Sequence, residues 1–120
     1  MGPRVRDGAV EAGVNEVLLV GRISQQPEER VLPSGDVVWT FRVVVTRPPV
    51  QSGSRATVDA LDCAAWSGRV RRSVAGWAPG DVVEVTGALR RRFFRSGEGA
   101  ASRVEVEVSG GRLIRRAATG

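Results

Sequence analysis

The sequence contains no histidine and no lysine, and it has a single cysteine. Histidine is the commonest general base and a frequent metal ligand, so its absence removes the usual catalytic and metal-binding chemistry. Cys63 as the only thiol cannot form an intrachain disulfide and does not provide a zinc site. Asp59 and Asp62 lie three residues apart in a predicted strand and therefore face opposite sides. We expect no catalytic site, no metal and no cofactor.

Long apolar runs are also missing. No stretch approaches the ~20 residues that cross a bilayer, and the first residues lack the apolar segment of a secretory signal. A cytoplasmic, nucleoid-associated protein is expected, and the single cysteine agrees with a reducing compartment. Residues 1–13 predict a flexible arm, residues 14–116 one folded domain, and residues 117–120 a short tail.

Arginine is the residue in excess. All 18 basic residues are arginines and the net charge is +5; a GC-rich coding bias would suffice to explain the choice of arginine over lysine. From Ser67 onward, 11 arginines stand against five acidic residues, so the excess lies in the second half. Guanidinium groups bind phosphates bidentately and stack on bases. This balance favours nucleic acid as the partner.

Alternating and β-branched runs predict five strands, and one amphipathic stretch predicts a helix. The strands are predicted at 14–23, 37–47, 56–66, 81–94 and 103–116, with a helix over 68–77 between the third and the fourth. Three stretches are predicted to be irregular, hairpin or loop segments, namely 24–37, 48–54 and 95–102. Gly87 predicts a bend or bulge. This order indicates an all-β OB-fold, a five-stranded, partly open barrel whose face often binds nucleic-acid strands.

The predicted fourth strand carries arginine and phenylalanine on both faces. Strand alternation places Arg90, Arg92 and Phe94 together on one face. The opposite face, with Phe93, is expected to point into the barrel, which leaves the direction of Arg91 unexplained. We therefore expect Phe94 to contact a ligand and Phe93 to belong to the core.

Trp66 ends the predicted third strand on its outer face. Beside Arg90, Arg92 and Phe94 it would form the pattern that single-strand binders use, in which bases stack on rings while cations follow the phosphates. The alternative is that Trp66 packs on the helix that begins just after it.

The remaining aromatic residues are predicted to lie mainly in the core. Trp77 completes the apolar stripe of the helix, and Trp39 and Phe41 share a strand face with valines. In the fifth strand the odd-numbered polar residues are expected to point outward and the valines inward, namely Val104, Val106 and Val108. Cys63 is expected to be a small buried hydrophobe; a disulfide with a partner subunit would require that symmetry bring two copies together.

Several segments recur in the order and spacing of one family. VNEVLLVGR, QPEER and APGDVVEVTGALRRRFF resemble the opening strand, the Asp-Pro-Glu-x-Arg segment and the Gly-x-Leu-Arg strand of bacterial single-stranded DNA-binding proteins. The similarity runs from about Asn15 to Ile114. It implies an OB-fold, usually a homotetramer, that binds single-stranded DNA without sequence preference. Aromatic and basic positions of that family fall here on Trp66 and Phe94 and on several arginines. The predicted nucleic-acid-binding residues are Arg22, Arg30, Trp66, Arg90, Arg92, Phe94 and Arg95.

The sequence also departs from the family pattern. Ala60 stands where a tryptophan is frequent, and Pro48 and Pro49 stand where another aromatic residue is common. Two stacking positions worth ~1–3 kcal/mol each are thus missing, and weaker binding per subunit is expected. The family's acidic, phenylalanine-ended tip does not occur in this sequence. We therefore expect a specialised paralogue that does not recruit repair proteins through such a tip.

The leading functional hypothesis is sequence-independent binding and protection of single-stranded DNA in replication, recombination or repair. The partner is single-stranded DNA, RNA remaining open, and a homo-oligomer is expected, with a tetramer favoured over a dimer. The alternative is an OB-fold protein-interaction module, similar to a primosome accessory protein, with weak nucleic-acid binding. An enzyme such as a small nuclease is disfavoured.

Overall fold

The strands of the structure lie where the sequence patterns predict them, with one addition. The computed structural model describes residues 13–49 and 55–118, so the predicted arm, apart from Gly13, and most of the predicted loop 48–54 lie outside the described residues. The elements are β1 (Val17–Ile23), β2 (Glu28–Val31), β3 (Val37–Thr46), β4 (Val58–Ala65), α1 (Gly68–Ala75), β5 (Val82–Ser96) and β6 (Gly99–Arg115). The added element is β2, a short strand in the segment predicted to be irregular or a hairpin.

The sheet closes on itself. Its strand order is β1-β5-β6-β4-β3-β2, and β1 pairs with β3 as well as with β5, so five strands form a ring with β2 on its edge. The β4–β6 pair is parallel and the other pairs are antiparallel. With α1 between β4 and β5, this is the predicted OB-fold, which is confirmed.

Alternate residues of the barrel strands fill its interior. Val83 and Val85 of β5 are fully buried, and Val106 and Val108 of β6 are buried as predicted. Cys63 is buried in the same core, and burial raises the pKa of its thiol to about 12. It therefore acts as a small apolar residue, as predicted.

Helix α1 packs on this core through its apolar face. Ser67 caps its first turn by accepting a hydrogen bond from the backbone N–H of Val70 at 3.3 Å. Val70 and Val74 are buried. Trp77, just beyond the helix, meets the ring of Phe41 edge to face, with centroids 5.5 Å apart. Both rings belong to the core, as predicted.

Gly87 marks the point where β5 becomes irregular. The register between β5 and β6 shifts between Thr86 and Gly87. A Cβ atom at Gly87 would collide with the backbone carbonyl oxygen of Glu107, so the close approach of the two strands requires glycine. The bulge predicted at this residue is confirmed.

Beyond the bulge, β5 and β6 continue as one long hairpin, here called the β5–β6 hairpin (residues 89–105). Pairing persists to Ser96 and Gly99, so the predicted flexible loop 95–102 is wrong and only residues 97–98 form the turn. Phe93 is 76% exposed and Val104 47% exposed, which contradicts their predicted interior positions. The physical reason is that this part of the hairpin extends past the barrel, where both faces meet solvent.

Asp81 anchors the chain that follows β6. Its buried carboxylate accepts hydrogen bonds from the backbone N–H groups of Ala78 at 2.9 Å and Ala117 at 2.8 Å, and from the Arg116 guanidinium at 3.0 Å. These donors, the two backbone N–H groups foremost, lower the pKa of Asp81. The end of β6 is thereby fixed to the turn after α1.

No helix in the described part of the chain is long and apolar enough to cross a membrane.

Candidate nucleic-acid interface

A groove on the outer face of the barrel brings together residues from four separate places in the chain. It holds an open cavity of about 440 Å³. Its lining consists of Arg30, Trp66, Arg92, Phe94, Arg103 and Glu105. These residues are here called the groove residues. Four of them, two arginines and both aromatics, are among the residues predicted from the sequence.

Strand geometry places these side chains on one surface. Arg92 of β5 lies directly opposite Arg103 of β6, and Phe94 lies opposite Ala101 two residues further along the hairpin. Trp66 follows the last residue of β4 and precedes the capped helix, and it is half-buried. Arg30 projects from β2, the strand that the sequence did not predict. The groove is therefore built by β2, the end of β4 and the hairpin.

Arg92 is held in place by two contacts. Its Cζ atom lies 5.4 Å from the centroid of the Trp66 ring, over the ring. Its Nε donates a hydrogen bond to Oε1 of Glu105 at 2.7 Å. The carboxylate of Glu105 is only 7% exposed. The charge-assisted hydrogen bond that Arg92 donates to this buried carboxylate thus orients the guanidinium over the indole.

Positive charge in the groove is only partly neutralised. Arg30 and Arg103 form no ion pair with any other described residue. Arg92 and Arg103 are like charges directly opposite each other on paired strands, an arrangement that costs stability unless an anion lies between them. The groove can therefore accept phosphate oxygens on two free guanidinium groups and on the remaining edge of a third.

Two further cavities adjoin the groove. One of about 200 Å³ shares Arg30, Arg103 and Glu105 with it, and one of about 730 Å³ shares Trp66. Arg90 lines the second of these, where its Nε donates to Glu107 at 2.6 Å. The groove cavity therefore adjoins each of the other two through shared lining residues.

The structure places two predicted residues elsewhere. Arg22 lies on the outer face of β1, opposite Val44 of β3, and does not line the three cavities. Arg95 lies on the face of the hairpin turned away from the groove, opposite Ala100. Both positions remain untested as binding positions.

Three residues of the site were not predicted. The sequence predicts Arg103 and Glu105 only as outward-facing residues. Their pairing with β5 shows that they belong to the groove. Asn15 exchanges two hydrogen bonds of 2.8 Å with the backbone N–H and C=O of Leu89, which fixes the base of the hairpin. The signal for Asn15 was its place in the family-like VNEVLLVGR segment, which does not itself indicate a hairpin contact.

The fold and the groove define an OB-fold domain with a basic, aromatic outer face. The model of the single-strand binding protein family matches residues 14–113 of this chain, and the chain belongs to that family. The single-stranded DNA-binding protein 1 of Streptococcus agalactiae is 31% identical over 87 residues, which cover 72% of this chain and 53% of the relative. The single-stranded DNA-binding protein A of Bacillus subtilis is 29% identical over 86 residues, covering 72% and 50%.

A solved structure of Plasmodium falciparum SSB in complex with ssDNA is similar to this chain with a TM-score of 0.71. It is 20% identical, and the similarity covers 86% of this chain and 95% of that one, which shows the shared fold. This chain spans about half the length of the curated relatives it matches.

Proposed function

We propose that this chain binds single-stranded DNA without sequence preference, through binding and not catalysis. The observation that carries the proposal is the convergence of three arginines and two aromatic rings on one open groove. Arg30, Arg92 and Arg103 would hold phosphates, and Trp66 and Phe94 would stack bases, an interaction that any base supports. Membership of the single-strand binding protein family and the names of its relatives support the same reading. Its role is to cover and protect exposed single strands in replication, recombination or repair, on the nucleoid.

We also propose that the chain acts as a homo-oligomer, with a tetramer favoured. Leu18 and Val20 lie side by side on the outer face of β1, where they are 65% and 50% exposed. Neighbouring exposed apolar side chains on the outside of a sheet are typical of a surface that another protein copy covers. Sedimentation of the chain without DNA measures the number of subunits.

The groove is tested by anisotropy of a labelled dT oligonucleotide titrated with Trp66→Ala and Phe94→Ala. Each variant is expected to weaken binding by ~1–3 kcal/mol, about 5- to 150-fold, equally for every sequence. Val31→Ala is the matched control, because Val31 is an exposed apolar residue of β2 that does not line the groove. It should leave the affinity unchanged.

The salt dependence supplies a second, independent readout. Three phosphate contacts on single-stranded DNA give a slope of log affinity against log salt of about −2 per subunit. Unchanged affinity in both aromatic variants would show that the groove is not the binding surface. A dimer with negligible affinity for dT would instead support the protein-interaction module.

A further inference from the structure

The β5–β6 hairpin has a second face with aromatic and basic side chains. Turned away from the groove are Leu89, Arg91, Phe93 and Arg95 of β5, here called the back face. Phe93 is 76% exposed, more than any other large hydrophobic residue described. A phenylalanine ring this exposed, between two arginines in the same row, has no role in the core and none in the groove.

The charges of the back face are less neutralised than those of the groove. Across β6 its four residues face Val106, Val104, Ser102 and Ala100, and none of these is acidic. Arg91 donates to the Ser102 hydroxyl at 3.2 Å, and neither Arg91 nor Arg95 forms an ion pair within the described residues. The groove-side arginines Arg90 and Arg92, by contrast, each hold a glutamate.

An open edge connects the two faces. β5 pairs with β1 only as far as Gly87, so beyond Leu89 its outer edge pairs with no strand in the described part of the chain. Phe94 on the groove side and Phe93 on the back are consecutive residues at this edge. A polymer that leaves the groove at Phe94 therefore reaches Phe93 by passing around a single β-strand.

We propose that the back face is a second contact surface for the same single strand of DNA, which passes around the free edge of β5. A base stacks on Phe93, and phosphates on either side of it are held by Arg91 and Arg95, which lie about 13 Å apart along the strand. This inference rests on the proposed function and extends it to a surface that the groove does not include.

The charges of the back face favour nucleic acid over a second copy of the chain as its binding partner. A two-fold contact between back faces would bring the arginines of one copy against those of the other, and no acidic residue of the two strands lies on that face to offset them. A phosphate backbone supplies the missing negative charge, and its bases supply the flat apolar partner for the Phe93 ring.

Length dependence of binding separates the two faces. An oligonucleotide of about 6 nucleotides fills the groove alone, whereas one of about 16 also reaches the back face. Phe93→Ala is expected to lower the affinity for the long oligonucleotide about fivefold or more and to leave the affinity for the short one unchanged. Phe94→Ala should lower the affinity for both oligonucleotides, and Val31→Ala should change neither affinity. Phe93 is outside the core, so the fold of the variant is retained and thermal unfolding checks this.

A fluorescent reporter gives a direct signal. Phe93→Trp is introduced into a Trp66→Phe variant, and its fluorescence is compared with that of the Trp66→Phe variant alone. The buried Trp77 and the half-buried Trp39 emit in both proteins. Quenching of the new indole is expected with the long oligonucleotide only. Arg95→Gln should reduce the magnitude of the salt slope of the long oligonucleotide by about 0.7 and leave that of the short one unchanged.

The outcomes are distinct. If Phe94→Ala weakens both lengths while Phe93→Ala weakens neither and the new indole is not quenched, the back face makes no contact and the inference is overturned, with the groove intact. If no groove variant changes the affinity for either oligonucleotide, the groove is not the binding surface and the proposed function itself is contradicted. If Phe93→Ala lowers the sedimenting mass without changing DNA affinity, the back face joins copies of the chain and the inference is likewise overturned.

Discussion

Replacing Glu105 with glutamine is expected to strengthen the binding of single-stranded DNA. The carboxylate of Glu105 accepts from Arg92 Nε at 2.7 Å and neutralises one of the three groove arginines. Glutamine has nearly the same shape and its side-chain oxygen still accepts this hydrogen bond, so Arg92 keeps its place over Trp66. The substitution removes only the negative charge that a bound phosphate would meet.

The size of the effect follows from the distance. A phosphate on the free edge of the Arg92 guanidinium lies about 7 Å from the Glu105 carboxylate, given a second hydrogen bond of ordinary length. Repulsion between two unit charges at this distance is ~0.6 kcal/mol in water and ~2.4 kcal/mol at an effective dielectric constant of about 20. Affinity should therefore rise about 3- to 60-fold.

The assay is anisotropy with a dT oligonucleotide at two salt concentrations, with Asp59→Asn as the matched control. Asp59 also pairs with an arginine, accepting from Arg47 Nε at 3.0 Å and Nη2 at 2.6 Å, but the pair is more exposed and does not line the groove. The control thus changes the net charge by the same amount outside the groove lining. Equal gains in both variants would show a general charge effect, and weaker binding by folded Glu105→Gln would refute the role assigned to Arg92.

Two predictions concern the fold. The lowered pKa of Asp81 means that its contribution to stability is present at neutral pH and is lost as the pH falls through the folded-state pKa, below the ordinary value of about 3.9. Urea unfolding from pH 6 to 3 should show this loss, and Asp81→Asn should flatten that part of the profile. The Cys63 thiol, with a pKa of about 12, should resist iodoacetamide at pH 8 in the folded protein. Labelling as fast as in urea would contradict its burial.

Most of the barrel could be predicted because its strands are β-branched or alternating runs of the sequence. Period-2 alternation locates β3, β4, β5 and β6, and the helical spacing of Val70, Val74 and Trp77 locates α1. Strand alternation also predicts Trp66 beside Arg92 and Phe94, and the structure brings these three together.

Strand alternation does not indicate where a strand leaves the barrel. A strand that extends past the barrel still alternates every two residues, although both of its faces are then exposed. Nothing in the segment GALRRRFFRSG indicates where β5 passes the end of the barrel. Phe93 and Val104 were assigned to the interior for this reason. The strand β2 was missed because its four residues are all exposed and carry no apolar face. Arg30 was therefore predicted from family resemblance and positioned only by the structure.

The two faces of the hairpin should respond differently to salt. In the groove, Arg92 keeps its hydrogen bond to the Glu105 carboxylate, so the charge that it offers to a phosphate is already partly neutralised. On the back face, Arg91 and Arg95 form no ion pair with any residue that the structure describes, so each phosphate contact there displaces counterions from the DNA in full. The magnitude of the salt slope should therefore increase beyond the groove's value of about 2 once the strand is long enough to pass the edge of β5. Short strands, which contact the groove alone, should keep the groove's slope, and longer strands should depend on salt more strongly.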